Sequence, residues 1–285
     1  IVSSAIKIKN GRIRKGDIFM KKFENIIIGF GKGGKTLAGA LAKAGQTVAM
    51  VERSDKMYGG TCINVACIPT KYLENQAARS DALGGCFEDR RERYRKAIEG
   101  KRALTSGLRQ KNFEKLDVLD RVEVLTGQGS FVDDHHVQVA MADGSTELLE
   151  GGRIYINTGS RPFIPPIPGL ADCPQAYTSE SMMELEELPE RFVIIGGGYI
   201  GLEFASIFAN FGSQVTIIQD GPRFLPRDDE EVAAAVRASL EERGIRIVTG
   251  ARITEVRNQG GSAVVRYERD GEIAESEGEA ILVAT

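Results

Sequence analysis

The chain has 285 residues, 42% of them hydrophobic and 27% charged, enough for one large or two ordinary globular domains. Forty acidic against 37 basic side chains give a formal charge of −3, which disfavours a general DNA- or RNA-binding role. No apolar run approaches the roughly 18 residues that span a bilayer and no cleavable leader opens the chain, so the sequence reads as cytoplasmic, with no membrane partner.

Residues 1–19 are basic, and "AIKIKNGRIRKG" alternates apolar and charged residues around Asn10-Gly11, the signature of a type I′ hairpin. The domain proper is expected to begin at Met20, where a strand and a glycine turn follow. From 23 to 52, "FENIIIGFGKGGKTLAGALAKAGQTVAMVE" predicts strand, glycine turn, helix, strand. Residues 71–116 read as helical, and "EDRRERYRK" (88–96) as a solvated helix face. A short apolar strand, "RIYINTGS" (153–160), precedes the proline-rich "RPFIPPIPG" (161–169), a stiff connector. The opening unit then repeats: "RFVIIGGGYIGLEFASIFANFGSQVTIIQ" (191–219) carries Gly196, Gly198 and Gly201 in register with Gly29, Gly31 and Gly34. A closing strand, "AILVAT" (280–285), echoes 153–160, and the chain is expected to be a piece of a longer protein.

A lone GxGxxG is weak evidence, but two copies in strand-turn-helix settings predict two dinucleotide-binding units. The glycines permit a tight turn, backbone approach to a pyrophosphate and close helix packing, and each helix N-terminus receives the phosphates. Glu52 ends the second strand of the first unit, where a carboxylate accepts hydrogen bonds from a ribose diol. Gln219 holds the matching place in the second unit. Asp220 beside it would repel a 2′-phosphate, which favours NADH over NADPH, with Arg223 and Arg227 as the opposing influence.

"GGTCINVACIPTK" (59–71) carries Cys62 and Cys67 just before a predicted helix, whose N-terminus and nearby cations would lower a thiol pKa. Zinc would want four ligands, and neither Cys86 nor His135-His136 offers them, so no metal is expected. Cys86 and Cys173 read as inert structural thiols, and the histidines as part of a polar turn between strands.

Two dinucleotide units with CxxxxC between them resemble the FAD-dependent pyridine nucleotide-disulfide oxidoreductases. The family's GGTCxNxGCxPxK, TGS, GGGYIGxE and AT segments occur in order from about Met20 to Thr285, with one departure. Ala66 departs from the pattern, which has glycine there; a positive φ would make the methyl cost about 1 kcal/mol. The resemblance implies an α/β fold of two Rossmann-like three-layer dinucleotide-binding domains, the FAD domain interrupted by the NAD(P) domain. In that scheme 1–19 is an extension, 20–162 the first part of the FAD domain, 163–281 the NAD(P) domain and 282–285 the return to the FAD domain. A C-terminal interface domain, with the family's acid-base histidine and its homodimer contact, would follow Thr285.

Carried over residue by residue, Gly29, Gly31, Gly34, Glu52, Thr61, Lys71, Gly129, Thr158, Gly159 and Ser160 would bind FAD. Gly196, Gly198, Gly201 and Gln219 would bind NADH or NADPH. Cys62 and Cys67 would form a redox-active disulfide, with Cys67 facing the flavin and Cys62 attacking a small-molecule oxidant or disulfide substrate. Lys71 would pair with a buried Glu203 near the flavin, and Tyr199 would gate nicotinamide entry. "GFGKGGKTLA", "MYGGTCIN" and "INTGSRP" are similar to the bacterial branch that answers reactive chlorine species and reduces hypothiocyanous acid. Dihydrolipoamide dehydrogenase and mercuric reductase share the same front half and stand as alternatives. Soluble transhydrogenases lack the first cysteine, and a non-catalytic flavin-binding module is the reading from another class.

Overall fold

The computed structural model describes residues 8–9, 12–15 and 18–285, with side chains from Met20 onward. Strands β1 (Ile8–Lys9) and β2 (Arg12–Lys15) pair antiparallel with Lys9 opposite Arg12. The Asn10-Gly11 turn between them lies outside the described residues. Strand β3 (Ile18–Ile28) pairs with β2, so the first strand of the nucleotide unit begins before Met20.

The chain divides into two compact units, residues 1–67 with 103–160, and 68–102 with 161–285. In the first, β3 leads through α1 (Lys32–Lys43) to β4 (Val48–Glu52), as the hydrophobic pattern predicted. The short helix α2 (Thr61–Asn64) and the first residue of α3 (Cys67–Leu83) follow. The chain returns to this unit within α4 (Phe87–Asp117) and completes the sheet with β5 (Val122–Phe131), β6 (His136–Met141) and β7 (Thr146–Ile156). Strands β5, β4, β3 and β7 run parallel, while β6 pairs antiparallel with β5 and β7.

Strand alternation sends successive side chains to opposite faces and creates three layers. Ile27, Val48 and Met50 face Ala38 of α1 and Leu116 of α4, whereas Ile26, Ala49 and Val51 pack with Val137, Val139 and Leu149. Each fully buried aliphatic side chain contributes about 1.5–3 kcal/mol.

The second unit adds β8 (Ala176–Thr178), α5 (Ser179–Met182), β9 (Arg191–Ile195), α6 (Tyr199–Phe211), β10 (Gln214–Ile218), α7 (Glu230–Glu242) and β11 (Arg246–Val248). An antiparallel meander, β12 (Arg252–Asn258), β13 (Ala263–Arg269) and β14 (Glu272–Gly278), precedes β15 (Ala280–Val283). The parallel sheet runs β11-β10-β9-β15-β8. Phe192 packs at a tilt against Phe208 of α6 with ring centroids 4.4 Å apart, and Val193 and Ile195 turn the other way to Val256, Val265 and Tyr267 of the meander. Helix α6 stops at Gly212, whose φ of 103° lets its N–H turn back to Ala209 and Phe208. Both units therefore have Rossmann-like three-layer order. In each the closing strand lies parallel to the first, β7 on β3 and β15 on β9.

The charge run on α4 is solvated at Glu88, Asp89, Glu92, Arg95 and Lys96 but not throughout. Tyr94 is fully buried, Arg90 donates to the Asn210 carbonyl at 3.0 Å, and Arg93 donates to Ser80 at 2.8 Å. Long arginine stems covering apolar surface turn part of this face into packing.

Candidate functional site

The first glycine turn is shaped by contacts that leave no room for side chains. Gly29 has φ 110°, and a Cβ there would lie 2.1 Å from the Asn157 carbonyl oxygen; one on Gly34 would lie 2.6 Å from the Gly29 oxygen. Gly31 caps α1 with no side-chain hydrogen bond, and the first turn carries no acid. The N–H groups and positive end of the helix are thus left for an anion. Glu52 is buried, taking hydrogen bonds from Phe30 N at 2.9 Å and Ser54 N at 3.2 Å, so its carboxylate is fixed beside this turn.

Asn157, which sequence reasoning did not single out, donates from Nδ2 to the Gly29 carbonyl at 2.9 Å. Its only signal was its place between a strand and Thr158-Gly159-Ser160. Those three residues are exposed, with Gly159 at φ 71°. Gly129 sits in β5, where a Cβ would meet Val51 at 3.2 Å, so packing alone accounts for a glycine there.

Cys62 lies on α2, directly after Thr61, and Cys67 is the first residue of α3. The structure holds both as thiols, hydrogen-bonded to each other. Gly60 at φ 76° caps α2, and a Cβ on it would fall 2.4 Å from the Gly31 Cα. The thiol motif therefore abuts the first glycine turn. Asn64 pins the segment by donating to the Tyr58 and Gly60 carbonyls at 3.1 and 2.9 Å.

The expected lowering of the Cys62 thiol pKa is not found. Its hydrogen bond with Cys67, burial and the Cys67 charge push it up, outweighing Lys32 and Lys35, which pull it down. Ala66 carries no left-handed strain: among the described residues the non-glycines with positive φ are Leu225 and Asp270.

The second glycine turn repeats the first. Gly196 has φ 111° with a Cβ position 2.5 Å from the Ala284 carbonyl oxygen, and a Cβ on Gly201 would lie 2.3 Å from the Gly196 oxygen. Gly198 caps α6, again without a side-chain bond. A hollow of about 400 Å³ is lined by Gly196, Gly198, Tyr199, Gln219, Leu225 and Asp228. Tyr199 is 68% exposed, and its hydroxyl donates to both Asp228 oxygens at 3.0 Å. Gln219 donates to the Arg223 carbonyl at 2.5 Å, and the Arg223 guanidinium pairs with Glu230 at 2.7 Å.

The expected ion pair between Lys71 and Glu203 is present at 2.9 Å, but Glu203 is not a buried partner: the side chains are 65% and 31% exposed. Glu74 shares the lysine at 2.7 Å, and the bonds to Glu74 and Glu203 raise its pKa. Cys173 is buried, whereas Cys86 is exposed with its thiol 3.2 Å from Asp89 Oδ2, so burial does not keep it inert. His136 pairs with Asp133 at 2.7 Å. Among the described residues no group of three or more His, Cys, Asp or Glu is placed to hold a metal, and no helix is long and apolar enough to cross a membrane.

The sequence profile of the pyridine nucleotide-disulphide oxidoreductases matches residues 23–285. The chain is 41% identical over 266 residues to the probable pyridine nucleotide-disulfide oxidoreductase RclA of Escherichia coli K12, covering 93% of this chain and 57% of that protein. It is 31% identical to a mercuric reductase of Staphylococcus aureus and 32% identical to a dihydrolipoyl dehydrogenase of Geobacillus stearothermophilus, covering 48% and 56% of their lengths. Among solved structures, a Cu(II) complex of the HOCl-induced flavoprotein disulfide reductase RclA from Escherichia coli matches with TM-score 0.84 and 40% identity, over 93% of this chain and 57% of that one. The chain spans about half the length of these relatives.

Proposed function

The chain belongs to the pyridine nucleotide-disulphide oxidoreductases, and from that premise we propose that it carries electrons from NAD(P)H through FAD to a Cys62–Cys67 disulfide, whose dithiol form reduces a small oxidised sulfur species. The observation that carries this reading is the hydrogen bond between the two thiols, on a segment whose Gly60 abuts Gly31. The residues present fit the cofactor: an uncapped helix N-terminus, a backbone with no room for side chains and a fixed carboxylate at Glu52 match pyrophosphate and ribose. FAD, when bound, supplies the two-electron chemistry that links hydride donation to disulfide reduction.

The chain's own residues do the rest. Gly29, Gly31, Gly34, Glu52, Thr61, Gly129 and Thr158-Gly159-Ser160 would hold FAD in this reading, and Lys71, paired with Glu203, would supply a positive charge. Gly196, Gly198, Gly201 and Gln219 bind the nicotinamide cofactor, with Tyr199 closing over its entry. NADH is favoured because Asp220 opposes a 2′-phosphate and Glu230 already engages Arg223.

The finer substrate is hypothiocyanous acid. The Cys62 thiolate attacks its sulfur, forming an S–S bond while the S–O bond breaks and hydroxide leaves to take up a proton. The Cys67 thiolate then attacks Cys62 sulfur, forming the disulfide and releasing thiocyanate, so the dithiol loses the two electrons the oxidant gains. The whole protein is taken as a cytoplasmic homodimer, for which sedimentation of the whole protein is the check.

Anaerobic NADH oxidation with hypothiocyanous acid as acceptor tests the proposal. Thiocyanate should be released one for one with NADH consumed and lost in Cys62→Ser and in Cys67→Ser; turnover that survives either change sinks the assignment.

A further inference from the structure

Lys32 and Lys35, both in the first turn of α1, act on the Cys62 thiol, and Lys115 of α4 acts on Lys35. Lys35 is half-buried, and its ammonium donates to Asn112 Oδ1. Asn112 is itself buried, and its amide is spent on the Leu108 carbonyl at 2.6 Å, which orients its oxygen toward the lysine. The same Asn112 amide carbon lies 3.2 Å from where a Cβ on Gly59 would stand, and Gly60 lies against Gly31. Lys35 is thus fixed by a buried amide that touches the loop delivering Cys62.

We propose that Lys35 is a positioning residue for Cys62: held by Asn112, it sets a positive field at that thiol and selects small oxidants that carry or release an anion. The inference rests on the reading of Cys62 as the substrate-facing thiol. Its physical content is electrostatic. A half-buried ammonium is screened less than a surface one, and an anionic reactant or leaving group gains from it while a neutral one does not. Mutual influence between the groups supports the placement, since Lys35 draws the Cys62 thiol pKa down and Cys62 draws that of Lys35 up.

The test compares iodoacetate, an anion, with iodoacetamide, its neutral counterpart, on the reduced full chain. In both, the Cys62 thiolate displaces iodide and forms a C–S bond, so the ratio of the two rates cancels thiolate fraction and reports the local field. Site-resolved mass spectrometry reads Cys62 and Cys86 in the same sample, with Cys86, beside Asp89, as internal reference. Lys35→Gln should lower the ratio at Cys62 about threefold, the order of effect expected when one unit charge acts on another through a largely aqueous medium. Lys35→Arg should restore it, and the ratio at Cys86 should not move. An unchanged Cys62 ratio in Lys35→Gln overturns the inference. If the ratio falls while NADH never reduces the cysteine pair, the field at Cys62 stands and the proposed function falls.

Discussion

Gly60 and Gly31 meet backbone to backbone, so that a methyl on Gly60 would lie 2.4 Å from the Gly31 Cα. One belongs to the thiol motif and the other caps the first dinucleotide helix, so any change at this contact reaches both. Gly60 also has φ 76°, which costs an L-residue about 1–2 kcal/mol before any clash. Gly60→Ala should therefore reduce flavin retained per chain after gel filtration at least tenfold. Full retention would mean the two motifs are not coupled there.

Asn157 should matter as much as the glycines it braces. Asn157→Asp keeps the shape but replaces the donor to Gly29 with an acceptor and adds negative charge to a cradle built for phosphate. Flavin affinity, read by fluorescence titration, should fall at least tenfold. Asn157→Ala should lose less, about 1 kcal/mol in thermal stability, because no charge is introduced.

Cys67 is the main cause of the raised Cys62 pKa, through hydrogen bonding and through its charge. Cys67→Ala should move the midpoint of Cys62 alkylation to lower pH. The sign for stability follows: the folded chain holds this proton more tightly than the unfolded one, so the contribution is complete below the unfolded thiol pKa and lost as pH rises through the folded value. Urea unfolding of the reduced protein should show stability declining with pH across the thiol range, and less steeply in Cys67→Ala.

The Lys71–Glu203 pair is too exposed to matter much for folding. Glu203→Gln should shift unfolding stability by less than about 1 kcal/mol, since water screens the pair and Glu74 still holds the lysine. The rate of flavin reduction by NADH should drop severalfold. A large stability loss with unaltered reduction would reverse the assignment.

Arg223 is engaged by Glu230 rather than available to a phosphate. Steady-state kinetics should give a higher kcat/KM for NADH than for NADPH, and Glu230→Ala should narrow the gap about threefold by releasing the guanidinium. An NADPH preference in the unaltered enzyme would show that Asp220 does not govern the pocket.

The repeated strand, glycine turn and helix were legible because each is local: β-branched runs, a glycine where φ must be positive and an apolar helix stripe follow from neighbours in sequence. The pairing of Cys62 with Cys67 was expected from the family resemblance, while the residues themselves showed only two thiols ahead of a helix. The Lys71–Glu203 pair was expected from resemblance, but its exposure was not, because the apolar pattern of α6 tells which face is buried and not how far a glutamate at its margin reaches into water. The charge run on α4 misled for the converse reason: long cationic side chains look solvated in sequence whatever their stems cover.

By itself the sequence determined the two glycine turns with the strands and helices on either side of them, because backbone sterics and hydrophobic periodicity act over a few residues. Only the tertiary structure decided that Asn157 braces Gly29, that Asn112 holds Lys35, that Asp228 takes the Tyr199 hydroxyl and that the Cys62 thiol is raised rather than lowered. The first three join residues far apart in the chain, and the sign of a pKa shift is a balance of burial, hydrogen bonds and charges that exists only once the groups are brought together.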